Sequence, residues 1–255
     1  MQIGLMNNPR TDPVVEIDFI ASNGFDFIDL TLEYPMAHPD VVSKQNLLKA
    51  LADSRLGVVG HTAYYLPFGS PINALRDAAV GDVLRTLDFF KEAGAKLVTL
   101  HPDPGVGAME NHTTVSLNAL SFKIISDEAA KRDMTIVIEN VPGVFSSVEP
   151  LKTILESVPG LRFHLDVGHA FIGRQRFNHL LSAFKEKLAH VHLSDNRLRD
   201  DDHLPLGAGR INWEDVIKAI KKTGYDATFT LEVFSADRRY LAGSMEKLRE
   251  LWQTG

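Results

Sequence analysis

Nine residues of this chain carry side chains that bind metal ions or move protons, and they recur at one kind of place in the sequence pattern. Five are histidines (His61, His101, His169, His192 and His203) and four are carboxylates (Glu139, Asp166, Asp201 and Glu232). His61, His101, Glu139, Asp166, His192 and Glu232 each fall at the end of a short strand-forming run. His169 follows Asp166 by three residues, and Asp201 and His203 lie in the irregular stretch Asn196–Arg210. Any one of these alone reads as a hydrogen-bonded structural residue. Nine of them on one rim read as a site. Imidazole and carboxylate without thiolate suit zinc, manganese, iron or cobalt, and suit magnesium less because of the histidines. The chain has no cysteine, which excludes disulfides, zinc ribbons, iron–sulfur clusters and cysteine nucleophiles.

The elements that must position these residues alternate between strand and helix with a repeat of roughly 30 residues, the length of a βαβ unit. Strands are predicted at Gln2–Met6, Phe25–Leu32, Gly57–Ala63, Lys96–Pro102, Thr135–Val141, Leu161–Gly168, Ala189–Asp195 and Thr228–Phe234. Helical spacing of apolar residues appears over Asp82–Phe90, closed by Gly94, over Asn212–Ile220, closed by Gly224, and over Met245–Trp252. Eight strand–helix pairs in 255 residues predict an α/β fold, the (β/α)8 TIM barrel, as one domain over residues 1–255. A doubly wound open sheet is the alternative, but no Gly-rich phosphate loop follows the first strand.

Side chains alternate along a strand with period 2. In the eighth run Phe229, Leu231 and Val233 oppose Thr228, Thr230 and Glu232. In the seventh, Val191 and Leu193 oppose His190, His192 and Ser194. In the sixth, Phe163, Leu165 and Val167 oppose His164 and Asp166. The apolar face must pack under the helices, so the polar face points into the barrel. Buried ionisable groups need compensation, and a metal supplies it. His164 and His190 are expected one layer below the rim, as partners of ligands or as satisfied core residues. His38, His112 and His179 are read as surface residues.

Composition narrows the partners. The chain is 44% hydrophobic and 24% charged, with 27 Lys and Arg against 33 Asp and Glu, a net charge of −6. An acidic chain gives no electrostatic case for sequence-blind nucleic-acid binding. No apolar run reaches the ~20 residues needed to cross a membrane. The first residues lack the pattern of a signal peptide, so a cytoplasmic location is expected.

At the strand ends the sequence resembles the xylose isomerase-like barrel superfamily. The motifs are HTAYYLPFGSP from His61, LHPDPG around His101, IENVPG around Glu139, HLDVGHAF around Asp166 and His169, HVHLSDN around His192, DDHLPLGAG from Asp201 and LEVF around Glu232. That superfamily includes sugar isomerases and epimerases and the endonuclease IV branch of abasic-site endonucleases (AP endonuclease family 2). The resemblance implies a core metal site at Glu139, Asp166, His192 and Glu232. It also implies proton transfer by Glu139 and Glu232 through an enediolate of a small sugar or sugar phosphate. The endonuclease IV branch implies three zinc ions held by all nine residues and a phosphodiesterase acting on abasic DNA. One to three divalent ions (Zn, Mn, Fe, Co or Mg) per chain are thus expected.

The loop Leu32–His38 is compact and acidic where the endonucleases carry a basic, glutamine-containing loop that enters DNA. This favours the isomerase or epimerase reading. Tyr64 is expected against the substrate. Of the arginines in rim loops (Arg10, Arg174, Arg176, Arg197, Arg199 and Arg210), Arg210 is the expected phosphate anchor, since it closes the ligand-bearing loop after Gly207 and Gly209. The resemblance also makes a homo-oligomer an expectation.

Overall fold

The computed structural model describes residues 1–173 and 176–255. Eight parallel strands close into a barrel in sequence order: β1 (Gln2–Met6), β2 (Phe27–Leu32), β3 (Gly57–Thr62), β4 (Leu97–Leu100), β5 (Thr135–Glu139), β6 (Arg162–Asp166), β7 (Leu188–Leu193) and β8 (Thr228–Leu231). The outer helices are α1 (Pro13–Ser22), α2 (Lys44–Ser54), α3 (Asn73–Glu92), α4 (Asn111–Ala130), α5 (Val148–Ser157), α6 (Val167–Phe171), α7 (Phe177–Phe184), α8 (Trp213–Lys222) and α9 (Arg239–Thr254). Pairing of β8 with β1, Gln2 opposite Thr228, closes the ring. This is the (β/α)8 barrel that the alternating pattern predicts.

Local chemistry sets the element ends. Asp12, Ser43 and Asn212 cap α1, α2 and α8 by accepting hydrogen bonds from Val14, Asn46 and Asp215 backbone N–H groups. Gly94 and Gly224 follow α3 and α8 in the left-handed conformation (φ 86° and 81°), which stops each helix as the sequence predicts.

Several strands are shorter than their sequence patterns. The sixth ends at Asp166, because its carboxylate accepts the His169 N–H at 2.5 Å and starts α6. Val167 therefore lies on a helix, not on the strand face predicted for it. The eighth ends at Leu231. Beyond it Glu232 N–H still donates to the Leu193 carbonyl, and Phe234 N–H turns to the His203 carbonyl.

The apolar faces read from the sequence, including Phe163, Leu165, Val191, Leu193, Phe229 and Leu231, are fully buried between strands and helices. The inner faces are unusually polar for a barrel, whose interior is ordinarily filled by branched apolar side chains. Asp29, Thr99, His164, His190 and Thr230 fill one level, and the strand-end residues lie above them. No helix among the described residues is long and apolar enough to cross a membrane.

Candidate metal centre and active site

At the base of the site His192 is oriented by Asp29. Its Nε2–H donates to Asp29 Oδ2 at 2.8 Å, so Nδ1 faces Glu232 Oε2 (3.0 Å) and Asp166 Oδ2 (4.0 Å). Asp29 Oδ2 also accepts from His190 Nε2 (3.0 Å) and Thr230 Oγ1 (2.8 Å). Burial works against its charge, but His192 and His190 more than offset this and hold the carboxyl well below its usual range.

The same pattern repeats around the rim. His61 Nδ1 meets Thr31 Oγ1 at 3.3 Å, and its Nε2 lies 3.1 Å from His101 Nε2. His169 Nδ1 meets the Asn140 carbonyl at 3.0 Å, and its Nε2 lies 2.9 Å from Asp201 Oδ2. His203 Nδ1 meets the Glu232 carbonyl at 3.2 Å, and its Nε2 lies 3.0 Å from the same Asp201 oxygen. In four of the five rim histidines, one ring nitrogen is thus held by an outer acceptor while the other is aimed at a neighbouring imidazole or carboxylate of the site. Metal-ligating histidines are held in this way, because the outer hydrogen bond fixes the tautomer and the ring plane.

The carboxylates fit a cation. Ligand atoms of Glu139, Asp166, His192 and Glu232 all lie within 4.8 Å of one another, as do those of His61, His101 and Glu139. Glu139 Oε2 lies 2.9 Å from His101 Nε2 and 3.3 Å from His164 Nδ1. Asp166 Oδ2 is buried without a hydrogen-bond partner, and Glu139 Oε1 has only His169 Nδ1, 3.0 Å away and shared with the Asn140 carbonyl. Removal from water, opposed by His169 and aided by Glu139 and Glu232, pushes the Asp166 carboxyl up to about 7. A divalent ion would relieve both conditions by taking these oxygens as ligands and neutralising the crowded acids. Burial next to His101 lowers His61 to about 4, which keeps it a neutral lone-pair donor.

The nine predicted residues therefore come together. Six of them, with Tyr64, line a cavity of about 780 Å³ above the barrel, and Glu139, Asp166 and His192 are buried next to Glu232, behind that lining. Arg210 does not line this cavity. Its side chain is exposed, and only its backbone N–H turns inward, to the Asn196 carbonyl. Arg10 is the arginine on the cavity wall. Arg197 pairs with Asp202 and Arg176 reaches Ser146 Oγ. Arg174 lies outside the described residues.

Other residues depart from the sequence reading or escape it. His38 is buried, not at the surface. Its ring stacks on Tyr34 and lies within 3.5 Å of both Asp40 and Asp82. Asp29 shares the inner face of β2 with Phe27 and Thr31, at period-2 spacing. Asn140 holds the backbone of Asp166 at both its N–H and its carbonyl. Glu33, read only as part of an acidic loop, is a buried carboxylate on the cavity wall.

Asp195 organises the loop that carries Asp201 and His203. Its Oδ1 accepts from the backbone N–H groups of Asn196 (2.9 Å) and Ile211 (3.2 Å). Its Oδ2 accepts from Gly207 N–H (2.8 Å) and Trp213 Nε1–H (2.9 Å). Leu198 and His203 adopt left-handed backbone (φ 67° and 44°), uncommon for residues with side chains, so the loop needs such an anchor.

Residues 17–251 match the family model of the xylose isomerase-like TIM barrel. The chain belongs to this family. An uncharacterized protein of Methanocaldococcus jannaschii is 32% identical over 152 residues, 58% of this chain and 59% of that protein, so the match spans little over half of the relative's length. A probable endonuclease 4 of Aquifex aeolicus is 25% identical over 236 residues, 84% of this chain and 83% of the other. Among solved structures, a D-tagatose 3-epimerase-like protein superposes with a TM-score of 0.81 at 22% identity, covering 99% of this chain and 97% of its own. Similarity at that level shows the shared xylose isomerase-like fold.

Proposed function

We propose that this chain is a metal-dependent isomerase or epimerase of a small sugar or sugar phosphate, transferring a proton through an enediolate. One observation carries the reading. Glu139, at the end of β5, and Glu232, just past β8, converge with Asp166 and His192 beside a cavity of small-molecule size. A divalent ion held by these four residues would supply Lewis acidity toward the adjacent oxygens of a hydroxy-ketone.

The chain's own groups do the proton work. One of the two glutamates takes the proton from the carbon beside the carbonyl, and the other returns one, which is general acid–base catalysis. Both carboxyls are held below their usual range. Burial opposes this in each case, and His101 and His164 offset it at Glu139 while His192 and His203 offset it at Glu232. Each is thus ionised and ready to accept a proton, so the glutamate that returns one first takes it up from solvent water. The likeness to the D-tagatose 3-epimerase-like protein supports the reading.

The test is proton exchange. Metal-loaded protein is incubated in D2O with D-tagatose, D-fructose, L-ribulose and their terminal phosphates, and deuterium at the carbon beside the carbonyl is read by NMR. Incorporation is expected with one of them, reduced about 10²–10⁴-fold by Glu139→Gln or Glu232→Gln. Full activity in the double variant would sink the two-carboxylate mechanism.

A second reading, a metal-dependent phosphodiesterase, is favoured by a separate observation. His61 and His101 on one side, and His169, Asp201 and His203 on the other, flank the central group and supply donors for further ions. The probable endonuclease 4 relative supports it. Nicking of an abasic duplex at low salt, with no deuterium exchange into any ketose, would put this reading in place of the first.

A further inference from the structure

Every carboxylate of the ligand set has imidazole within 4.0 Å: Glu139 has His101, Asp166 has His169, Asp201 has His169 and His203, and Glu232 has His192. Glu33 differs. It follows β2 directly, is only 8% exposed and lines the same cavity. Among the described residues no Lys, Arg or His lies within ion-pair distance of its carboxylate. With a backbone hydrogen bond from Tyr64 but no cation at ion-pair distance, this wall carboxylate keeps accepting capacity toward the cavity that a ligand can fill.

Its surroundings define that ligand. Tyr34, Tyr64, Tyr65 and Phe234 line the cavity and expose their rings at its mouth. Tyr64 and Tyr65 meet edge to face at 5.2 Å, and Tyr34 N–H points to the Tyr65 hydroxyl at 3.4 Å, which ties the loops after β2 and β3 together. Aromatic faces beside an acceptor-only carboxylate suit the C–H faces and hydroxyl donors of a carbohydrate. A cationic ligand would face the divalent ion that the ligand set is built to hold. A phosphate would have to share the wall with Glu33, and Arg10 is the only Lys or Arg among the described lining residues.

Resting on the isomerase or epimerase reading, we propose that Glu33 accepts hydrogen bonds from hydroxyls at the end of the substrate away from the reacting carbon. The site then takes a neutral sugar in preference to its phosphate ester.

The experiment measures binding and exchange separately. Metal-loaded wild type, Glu33→Gln and Glu33→Ala are titrated with D-tagatose and with D-tagatose 6-phosphate, with binding followed by ligand-observed NMR, and deuterium exchange is run on the same samples. The wild type should bind D-tagatose at least about tenfold more tightly than the phosphate. Both variants should lose about tenfold or more in D-tagatose binding, the loss of a charge-assisted contact. In exchange, Glu33→Gln should raise KM with kcat within about threefold, and metal content should equal that of the wild type. Tighter binding of the phosphate, unchanged binding by both variants, or no binding of D-tagatose by the wild type overturns the inference. Binding that depends on Glu33 without any deuterium exchange upholds the subsite and overturns the proposed chemistry instead.

Discussion

Replacing Asp195 with asparagine keeps the side chain's shape and removes half of its accepting capacity. The carboxylate accepts from Asn196 and Ile211 on one oxygen and from Gly207 and Trp213 on the other, and the residue is fully buried. Whichever way the new amide turns, its NH2 faces two donors. Each buried donor left unpaired costs about 1–3 kcal/mol. Gly207 is exposed and regains water, so with the amide turned that way Trp213 Nε1–H alone is left unpaired and the expected loss is about 1–3 kcal/mol. For a chain of this size that lowers Tm by roughly 2–12 °C. The donors bracket the loop: Asn196 and Gly207 flank Asp201 and His203. Asp195→Asn should therefore also weaken metal retention at His169, Asp201 and His203 more than at Glu139, Asp166, His192 and Glu232. Urea unfolding and elemental analysis after dialysis measure the two effects. A variant within about 0.5 kcal/mol of wild type, the scatter of ordinary surface substitutions, with full metal content would refute the anchoring role.

Three further outcomes follow from the same geometry. Asp29→Asn removes the carboxylate that fixes His192, and metal affinity measured by chelator competition should fall about 10–100-fold; unchanged affinity would show that the His192 tautomer is set elsewhere. Gly209→Ala places a Cβ 2.3 Å from Asp195 Oδ1 and 2.4 Å from the Asn196 carbonyl, so it should destabilise the chain by about 1–3 kcal/mol in the same unfolding assay, and a neutral result would mean that the loop yields freely. Metal-free protein should lose stability as pH rises above about 7. Asp166, pushed up to about 7 from 3.8, keeps a proton in the folded state that the unfolded chain has already released between those values. His203, raised against burial to about 9 from 6.5 by its bond to Asp201, adds stability that is full below about 6.5 and lost as pH passes about 9. Below about 6.5 His61, lowered to about 4, acts the other way, so the window is above it: Tm measured in chelator from pH 7 to 9 should fall, and a flat or rising curve would contradict the His203 assignment.

The rim of the site was legible because two regularities coincide there. Strand ends are marked by Gly, Pro, Asn and Asp, and period 2 divides each strand into an apolar and a polar face. Asp166, His192 and Glu232 satisfy both, and His61, His101 and Glu139 satisfy the first. What lay deeper was legible only where both faces of a strand were read. Asp29 went unread because β2 is buried throughout, so its polar alternation is weak against Phe27, Ile28 and Leu30. His38 was misplaced because a loop histidine has no periodic signal, and its burial comes from Tyr34 and Asp82, the latter on the distant α3. Arg210 illustrates the opposite failure. Its position beside two glycines fixes where its backbone goes, which is to Asn196, and leaves its side chain free to point outward.

The contact between Asp29 and Thr230 spans 201 residues of chain, and that between Asp29 and His192 spans 163. During synthesis, Asp29 is therefore made long before the groups that neutralise it. A nascent chain that ends before β7 can bury Asp29 only as an uncompensated charge, so compact partial barrels are disfavoured until the last two strands emerge. Barrel closure and completion of the site become one late event, since β8 brings both the strand that seals the ring and the glutamate that completes the central group. Ribosome-bound chains would accordingly acquire the ability to retain a metal ion abruptly, near the end of translation.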